Sequence, residues 1–244
     1  EHSIQAVPTT DRAAIPELLA QTESVDLCIP RGGEGLIRAV SECSRVPVIK
    51  HYKGICSVYI DGAANAEMAL QIAVNSKTHR PGVCNAMETL LVDQSIAASF
   101  LPDLLARYGA AGVEVRADAR GRSIWPQAQA ATAEDWDAEY LDLVLSLKIV
   151  DGLDDALDHI ARHGSGHTES IVTGDLDAAT RFLREANASC VMHNASTRFN
   201  DGFELGLGAE IGISTSRLHA YGPMGLEELT TRKFVVTGTG QTRS

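Results

Sequence analysis

Cys84 stands in the stretch NSKTHRPGVCNAMETLLVD, residues 75–93, two positions after Gly82 and just ahead of an apolar run. A cysteine works as a nucleophile when a helix N-terminus, nearby cations or a polarising base gives it thiolate character, and when backbone N–H groups stand ready for an oxyanion. This loop has those parts. Pro81 and Gly82 force a tight turn, small residues leave room for a substrate, and His79 and Arg80 bring positive charge. The commoner fate of a free cysteine is burial as a small apolar side chain. Cys28 and Cys190 fall in apolar strands and Cys43 in a helix, so packing explains them; Cys84 alone is read in a loop.

Bulk properties limit what the thiol can act on. A chain of 244 residues, 44% hydrophobic, can bury a sizeable core in one large domain or two small ones. Lys and Arg number 21 against 32 Asp and Glu, and the net charge of -11 opposes a nucleic-acid or anionic-membrane partner. Any anionic ligand must therefore be held by local charge. Five cysteines, odd in number and without CxxC spacing, are too sparse for a disulfide framework and fit a reducing, cytoplasmic setting. No apolar span of transmembrane length, no leader pattern and no metal-ligand spacing is read.

The elements that must position the loop alternate as in a parallel α/β sheet. HSIQAV reads as a short strand before a PTTDR cap and a helix; VDLCIP as a buried strand, RGGEG as a turn, LIRAVSECS as a helix and VPVIKHY as a strand. SVYID, ETLLVD, YLDLVLSLKIV, SGHTESIVT and CVMHNAS continue the strands. NAEMALQIAVNSKT, IAASFLPDLLARYGA, LDDALDHIARHG and LDAATRFLREA supply helices, the first with an apolar face of Met68, Ile72 and Val74. The expected boundary lies near Lys50, giving a first α/β part over 1–50, a catalytic domain over 51–220 and a C-terminal segment over 221–244.

The stretches IPRGGEGLIR, VPVIKHYKGICSVYID, NSKTHRPGVCNAMETLLV, GSGHTESIVT, NASTRFNDG and LGLGAEIGISTSRLHAYGPMGLEELTTRKFVVTGTG resemble the gamma-glutamyl phosphate reductases, also called glutamate-5-semialdehyde dehydrogenases, of the aldehyde dehydrogenase superfamily. The resemblance implies an aldehyde dehydrogenase-like α/β fold, in which a partial Rossmann-type cofactor domain joins an α/β catalytic domain and the C-terminal segment makes oligomer contacts. It implies that Cys84 attacks L-glutamyl 5-phosphate to form a thioester, which NADPH reduces to L-glutamate 5-semialdehyde. His51 stands where hydrolytic relatives carry a water-activating Glu. Arg31, Gly32 and Gly33 match the turn beside the nicotinamide, and Glu139 matches a carboxylate that accepts from the ribose hydroxyls.

Arg80, Ser196, Thr197 and Arg198 suit the carboxylate and amino end of a glutamyl group, and GSGHTES reads mainly as a structural signature, with His167 a candidate substrate-side contact. Phe203 and Leu205 depart from the family's DGGEFGLG pattern. A homo-oligomer and association with glutamate 5-kinase follow from the same resemblance. So does an additional family region ahead of Glu1, bearing most of the dinucleotide fold, without which the chain is expected to bind NADPH feebly. Two other readings stand beside the reductase: a catalytic-domain remnant with an oligomerising or scaffolding role, and a cysteine hydrolase pairing Cys84 with His79 or His51.

Overall fold

A strand covered on both faces is written as an unbroken apolar run, and CSVYI and METLLVD are such runs. In the computed structural model, which describes residues 3–217 and 219–244, they form the middle of a parallel sheet. Its strands are β1 (Cys56–Ile60), β2 (Met87–Asp93), β3 (Glu114–Ala117), β4 (Gln129–Ala130), β5 (Val144–Val150), β6 (Thr168–Val172) and β7 (Cys190–His193), in the order β4-β3-β5-β2-β1-β6-β7. The expected α/β class is what the chain adopts.

Among the described residues seven α-helices accompany the sheet: α1 (Ala14–Leu19), α2 (Glu34–Cys43), α3 (Ala66–Thr78), α4 (Gln94–Ala110), α5 (Ala119–Ile124), α6 (Leu153–His163) and α7 (Leu176–Glu185). Successive strand residues face opposite ways. Val58, Ile60, Leu90 and Val92 join the α3 and α4 side with Phe100, Leu101 and Leu104, while Tyr59 and Leu91 join the α6 and α7 side with Ile160 and Phe182. Each large aliphatic side chain so buried contributes roughly 1.5–3 kcal/mol. Side-chain caps start three of the helices that cover the sheet: Asn65 accepts from Met68 N–H at α3, Asp93 from Ser95 N–H at α4 and Asp175 from Asp177 N–H at α7.

The first segment departs from the expected strands. Residues 3–13 form no strand, and His2, which opened that expected element, lies outside the described residues. VDLCIP and VPVIKHY meet in one parallel bridge, Cys28 to Val48, with Cys28 N–H donating to Pro47 O at 2.9 Å and Ile49 N–H to Cys28 O at 3.0 Å. A two-strand pair is marginal by itself, and Pro47 offers no N–H to lengthen it. Met68 is exposed, because the buried face of α3 is Ala69, Leu70, Ile72, Ala73, Ser76 and Lys77. A two-stranded antiparallel ribbon, β8 (Gly212–Ser214) with β9 (Gly222–Met224), packs Ala220 and Met224 on Ile49 and ties this segment to the rest.

Candidate active site

Cys84 lies on the turn between α3 and β2, with Ala86 N–H donating to Val83 O at 3.0 Å. Three other crossings reach the same end of the sheet: His51–Gly54 ahead of β1, Glu139–Leu141 ahead of β5, and Gly164–His167 ahead of β6. The cleft framed by the first two of these and the Cys84 turn therefore sits at the amino ends of the strands, opposite to the usual ligand crevice of an open α/β sheet. It encloses about 580 Å³, and Cys84, His51, Arg31, Gly32, Gly33, Arg80, Glu139 and Arg198 all line it.

Close backbone approach fixes the turn. A Cβ on Gly54 would lie 2.3 Å from Cys84 O and 2.8 Å from its Cα, so only glycine fits there. Gly54 N–H donates to Glu139 Oε1 at 2.8 Å, and Lys53 Nζ donates to Asp137 O at 3.1 Å, which stitches the β1 approach to the β5 approach. Beneath them Lys77 Nζ and Glu88 Oε2 form a fully buried pair at 2.7 Å. Glu88 Oε1 accepts from Leu141 N–H at 3.2 Å and holds that residue at φ 54°, a left-handed conformation.

The thiol's electrostatics differ from the loop reading. Cys84 is followed by a strand rather than by a helix of its own. Burial first, then the carboxylates of Glu210 and Glu139, push its thiol up to about 11, with Arg31 acting in the opposite sense. His79 is engaged elsewhere, its Nδ1 receiving Arg198 Nε at 3.4 Å. His51 Nδ1 donates to Ile213 O at 2.7 Å, and its ring meets that of His167 edge to face at 5.6 Å. His167 itself is fully buried, beside Cys56 Sγ at 3.4 Å and Thr168 Oγ1 at 2.7 Å, and does not line the cleft.

Ser196 and Thr197 are not brought to the cleft. Ser196 Oγ pairs with Ser76 Oγ at 3.0 Å and accepts from Arg198 N–H at 3.3 Å, and Thr197 is fully buried. Their polar loop is a support that aims Arg198 rather than a contact surface of its own. Four participants escaped the sequence reading: Cys56, whose Sγ donates to Cys84 O at 3.1 Å, Tyr52, whose ring carries Arg38 at 4.6 Å, and the carboxylates Asp201 and Glu210. The Gly-rich spelling of DGFELGLGAE was the available signal for the last two, since it marks a loop that folds back on itself.

The nicotinamide end of a cofactor finds a suitable cradle here. Gly33 is the N-cap residue of α2 without a side-chain cap, and no atom stands within 4 Å of where its Cβ would be. Open backbone N–H groups at a helix start, with a carboxylate across the cleft, fit an amide-bearing ring and a ribose.

No protein-family model matches the chain. It is 60% identical over 244 residues to the gamma-glutamyl phosphate reductase of Desulfatibacillum aliphaticivorans, covering all of this chain and 58% of that protein. Against that of Citrifermentans bemidjiense it is 55% identical over 241 residues, 99% of this chain and 58% of the relative. The chain thus spans somewhat over half the length of these curated relatives. The crystal structure of gamma-glutamyl phosphate reductase from Thermotoga maritima superposes with a TM-score of 0.94 at 46% identity, over 98% of this chain and 57% of that one. An acetylating aldehyde dehydrogenase from Geobacillus thermoglucosidasius (TM-score 0.68, 21% identity, 96% and 61% covered) shares the fold. So does an engineered glycolyl-CoA reductase with bound NADP+ (TM-score 0.59, 18% identity, 84% and 53% covered).

Proposed function

We propose that this chain, homologous along its whole length to gamma-glutamyl phosphate reductases, carries the cysteine chemistry of an NADPH-dependent reduction of L-glutamyl 5-phosphate to L-glutamate 5-semialdehyde in proline biosynthesis. The observation that carries this reading is Cys84 on a glycine-locked turn, facing a cleft that Arg31, Arg80 and Arg198 also line. Cys84 Sγ, once its proton has left to water, bonds to the acyl carbon, and the C–O bond to phosphate breaks with its electron pair on the departing phosphate. The Cys84 N–H is the backbone donor for the oxyanion, and Arg80 with Arg198 neutralises anionic groups of the substrate. A nicotinamide held at Gly32, Gly33 and Glu139 would supply the hydride that the thioester carbonyl needs. Cys84 leaves as the thiolate when the C–S bond breaks, and a proton from water restores its thiol.

His51 takes the place of a water-activating carboxylate, and the absence of that carboxylate is what disfavours hydrolysis of the thioester to glutamate; its Nδ1–H, donated to Ile213 O, fixes the orientation of the ring. Gly32, Gly33 and Glu139 hold the nicotinamide end, and the preference for NADPH over NADH rests on the family resemblance. A homo-oligomer is supported by Phe234, Val235 and Val236, which are 99%, 79% and 90% exposed near the end of the chain. The test runs the reaction backwards, following NADPH formation from glutamate 5-semialdehyde, phosphate and NADP+. Activity that disappears in a folded Cys84→Ser variant supports the reading, and retention of more than roughly a tenth of the rate refutes it, since a serine hydroxyl lacks the thiolate's nucleophilicity.

A further inference from the structure

Six of the charged groups that line the cleft form no ion pair among the described residues: Arg31, Arg80, Arg198, Asp201, Glu139 and Glu210; Glu34, the remaining carboxylate of the lining, pairs with Arg38. Opposite charges that line one cleft yet do not meet each other fit a ligand that carries both signs. An α-amino acid end does so on a single carbon.

The carboxylates are not equivalent. Asp201 Oδ1 already accepts from Phe203 N–H at 2.9 Å and Glu204 N–H at 3.4 Å, and Glu139 Oε1 from Gly54 N–H. Glu210, like Glu139, spends one oxygen on one N–H, its Oε2 accepting from Gly202 at 2.9 Å; Glu139 is the carboxylate set beside the nicotinamide, which leaves Glu210 for the substrate. The contact with Gly202 is rigid: a Cβ on Gly202 would fall 2.4 Å from Ala209 O and 2.9 Å from Glu210 Cβ, so the two stretches are pressed together. On the other side Arg198 keeps a buried Nη1 with no hydrogen-bond partner among the described residues, and burial first, then Arg80, disfavour its charge, with Asp201 acting in the opposite sense. A carboxylate ligand would answer both.

We propose that Glu210 is the subsite for the α-ammonium of the substrate, forming with Arg198 a clamp for an α-amino acid end, and that docking this ammonium readies Cys84 for attack. The inference rests on the glutamyl reading above and names the residue that makes the site select an amino acid over a plain dicarboxylic acid. The coupling is electrostatic. After burial, Glu210 is the foremost influence holding the Cys84 thiol protonated, ahead of Glu139, while Arg31 works against both, and Arg198 and Cys56 also face the thiol. An ammonium set against Glu210 cancels that field, so the thiol gives up its proton to water when the correct substrate is in place and stays protonated otherwise.

Glu210→Gln is the informative variant, because the amide oxygen still accepts from Gly202 N–H while the charge is gone. Calorimetric titration of the whole chain with L-glutamate and with glutarate, which lacks the amine, reads the subsite. The pH midpoint of Cys84 alkylation by iodoacetamide, followed by mass spectrometry, reads the field. The wild type is expected to bind glutamate at least about tenfold more tightly than glutarate, as an ion-paired ammonium warrants. Glu210→Gln is expected to erase that preference and lower the alkylation midpoint. A glutamate preference that survives in Glu210→Gln overturns the assignment to Glu210 and leaves the glutamyl reading standing. Equal binding of both compounds by the wild type overturns the ammonium subsite. Binding of neither removes the glutamyl reading and the subsite with it.

Discussion

At the carboxyl ends of the strands, Asp61 accepts from Ala63 N–H and from the hydroxyls of Tyr59 and Thr173, Asp93 from Ser95 N–H and Oγ and from Tyr59, and Asp151 meets Arg120. At the amino ends, Glu139 and Glu210 each hold one backbone N–H and no cation, and the cleft arginines have no carboxylate among the described residues. One end spends its carboxylates on caps and cross-links, which stabilise the fold. The other holds its charges in place through backbone contacts and keeps their fields open to a ligand. The carboxyl edge thus uses its carboxylates for the fold alone, while the amino edge sets open charges above a buried support, Lys77 with Glu88, and substitutions at the two edges should fail in different ways.

Gly54→Ala is expected to have the largest effect, since its Cβ would meet Cys84 backbone atoms that cannot rotate away. Displacing the thiol by even an ångström should cost about 10²-fold or more in turnover, with roughly 1–3 kcal/mol lost from overpacking. Activity and urea midpoint measured together check this, and near-normal turnover would show that the turn is not locked. Lys77→Met comes next. It leaves Glu88 buried without its cation, a change of about 3–5 kcal/mol. Burial already raises Glu88 to about 7, so the native state keeps a proton there that the unfolded chain has lost. Stability then falls as pH rises from near the ordinary carboxyl value toward 7, and the penalty should be larger at pH 8 than at pH 5. A penalty independent of pH would contradict this account.

Asp93→Ala attacks the other edge. Loss of the α4 cap and of a Tyr59 contact should lower stability by about 1–2 kcal/mol, while turnover stays within about twofold. A large fall in activity with the fold intact would erase the division between the two edges.

What could be read from sequence follows the same division. The helices α4, α6 and α7 and the doubly covered strands β1 and β2 declare themselves, because burial writes a long signal. The β3-α5-β4 unit passed unread: Glu114–Ala117 alternates charge with small apolar residues, and Ala119–Ile124 is a six-residue helix with an internal glycine. Cys84, Arg31, Glu139 and Arg198 were legible through motifs. Glu210 was not, since its meaning depends on what lies across the cleft. The buried Lys77 was missed for a similar reason, its partner Glu88 being on the next strand.

Ser196→Ala is expected to be the mildest change and sharpens the comparison most finely, because sequence alone pointed its hydroxyl at the substrate. The hydroxyl instead sits between Ser76 Oγ and Arg198 N–H, in a residue only 5% exposed. Its removal leaves one buried hydroxyl and one N–H less well satisfied, worth about 1 kcal/mol of stability. Affinity for L-glutamate should stay within about twofold, since a support that loses one of several contacts keeps its side chain's aim. Arg198→Ala, in contrast, should weaken the same titration by at least about tenfold, as loss of a charged hydrogen bond does. If Ser196→Ala weakens binding as much as Arg198→Ala while both remain folded, the hydroxyl contacts the ligand directly, and the wall of the cleft extends further into the Ala195–Phe199 loop than the hydrogen bonds of Ser196 indicate.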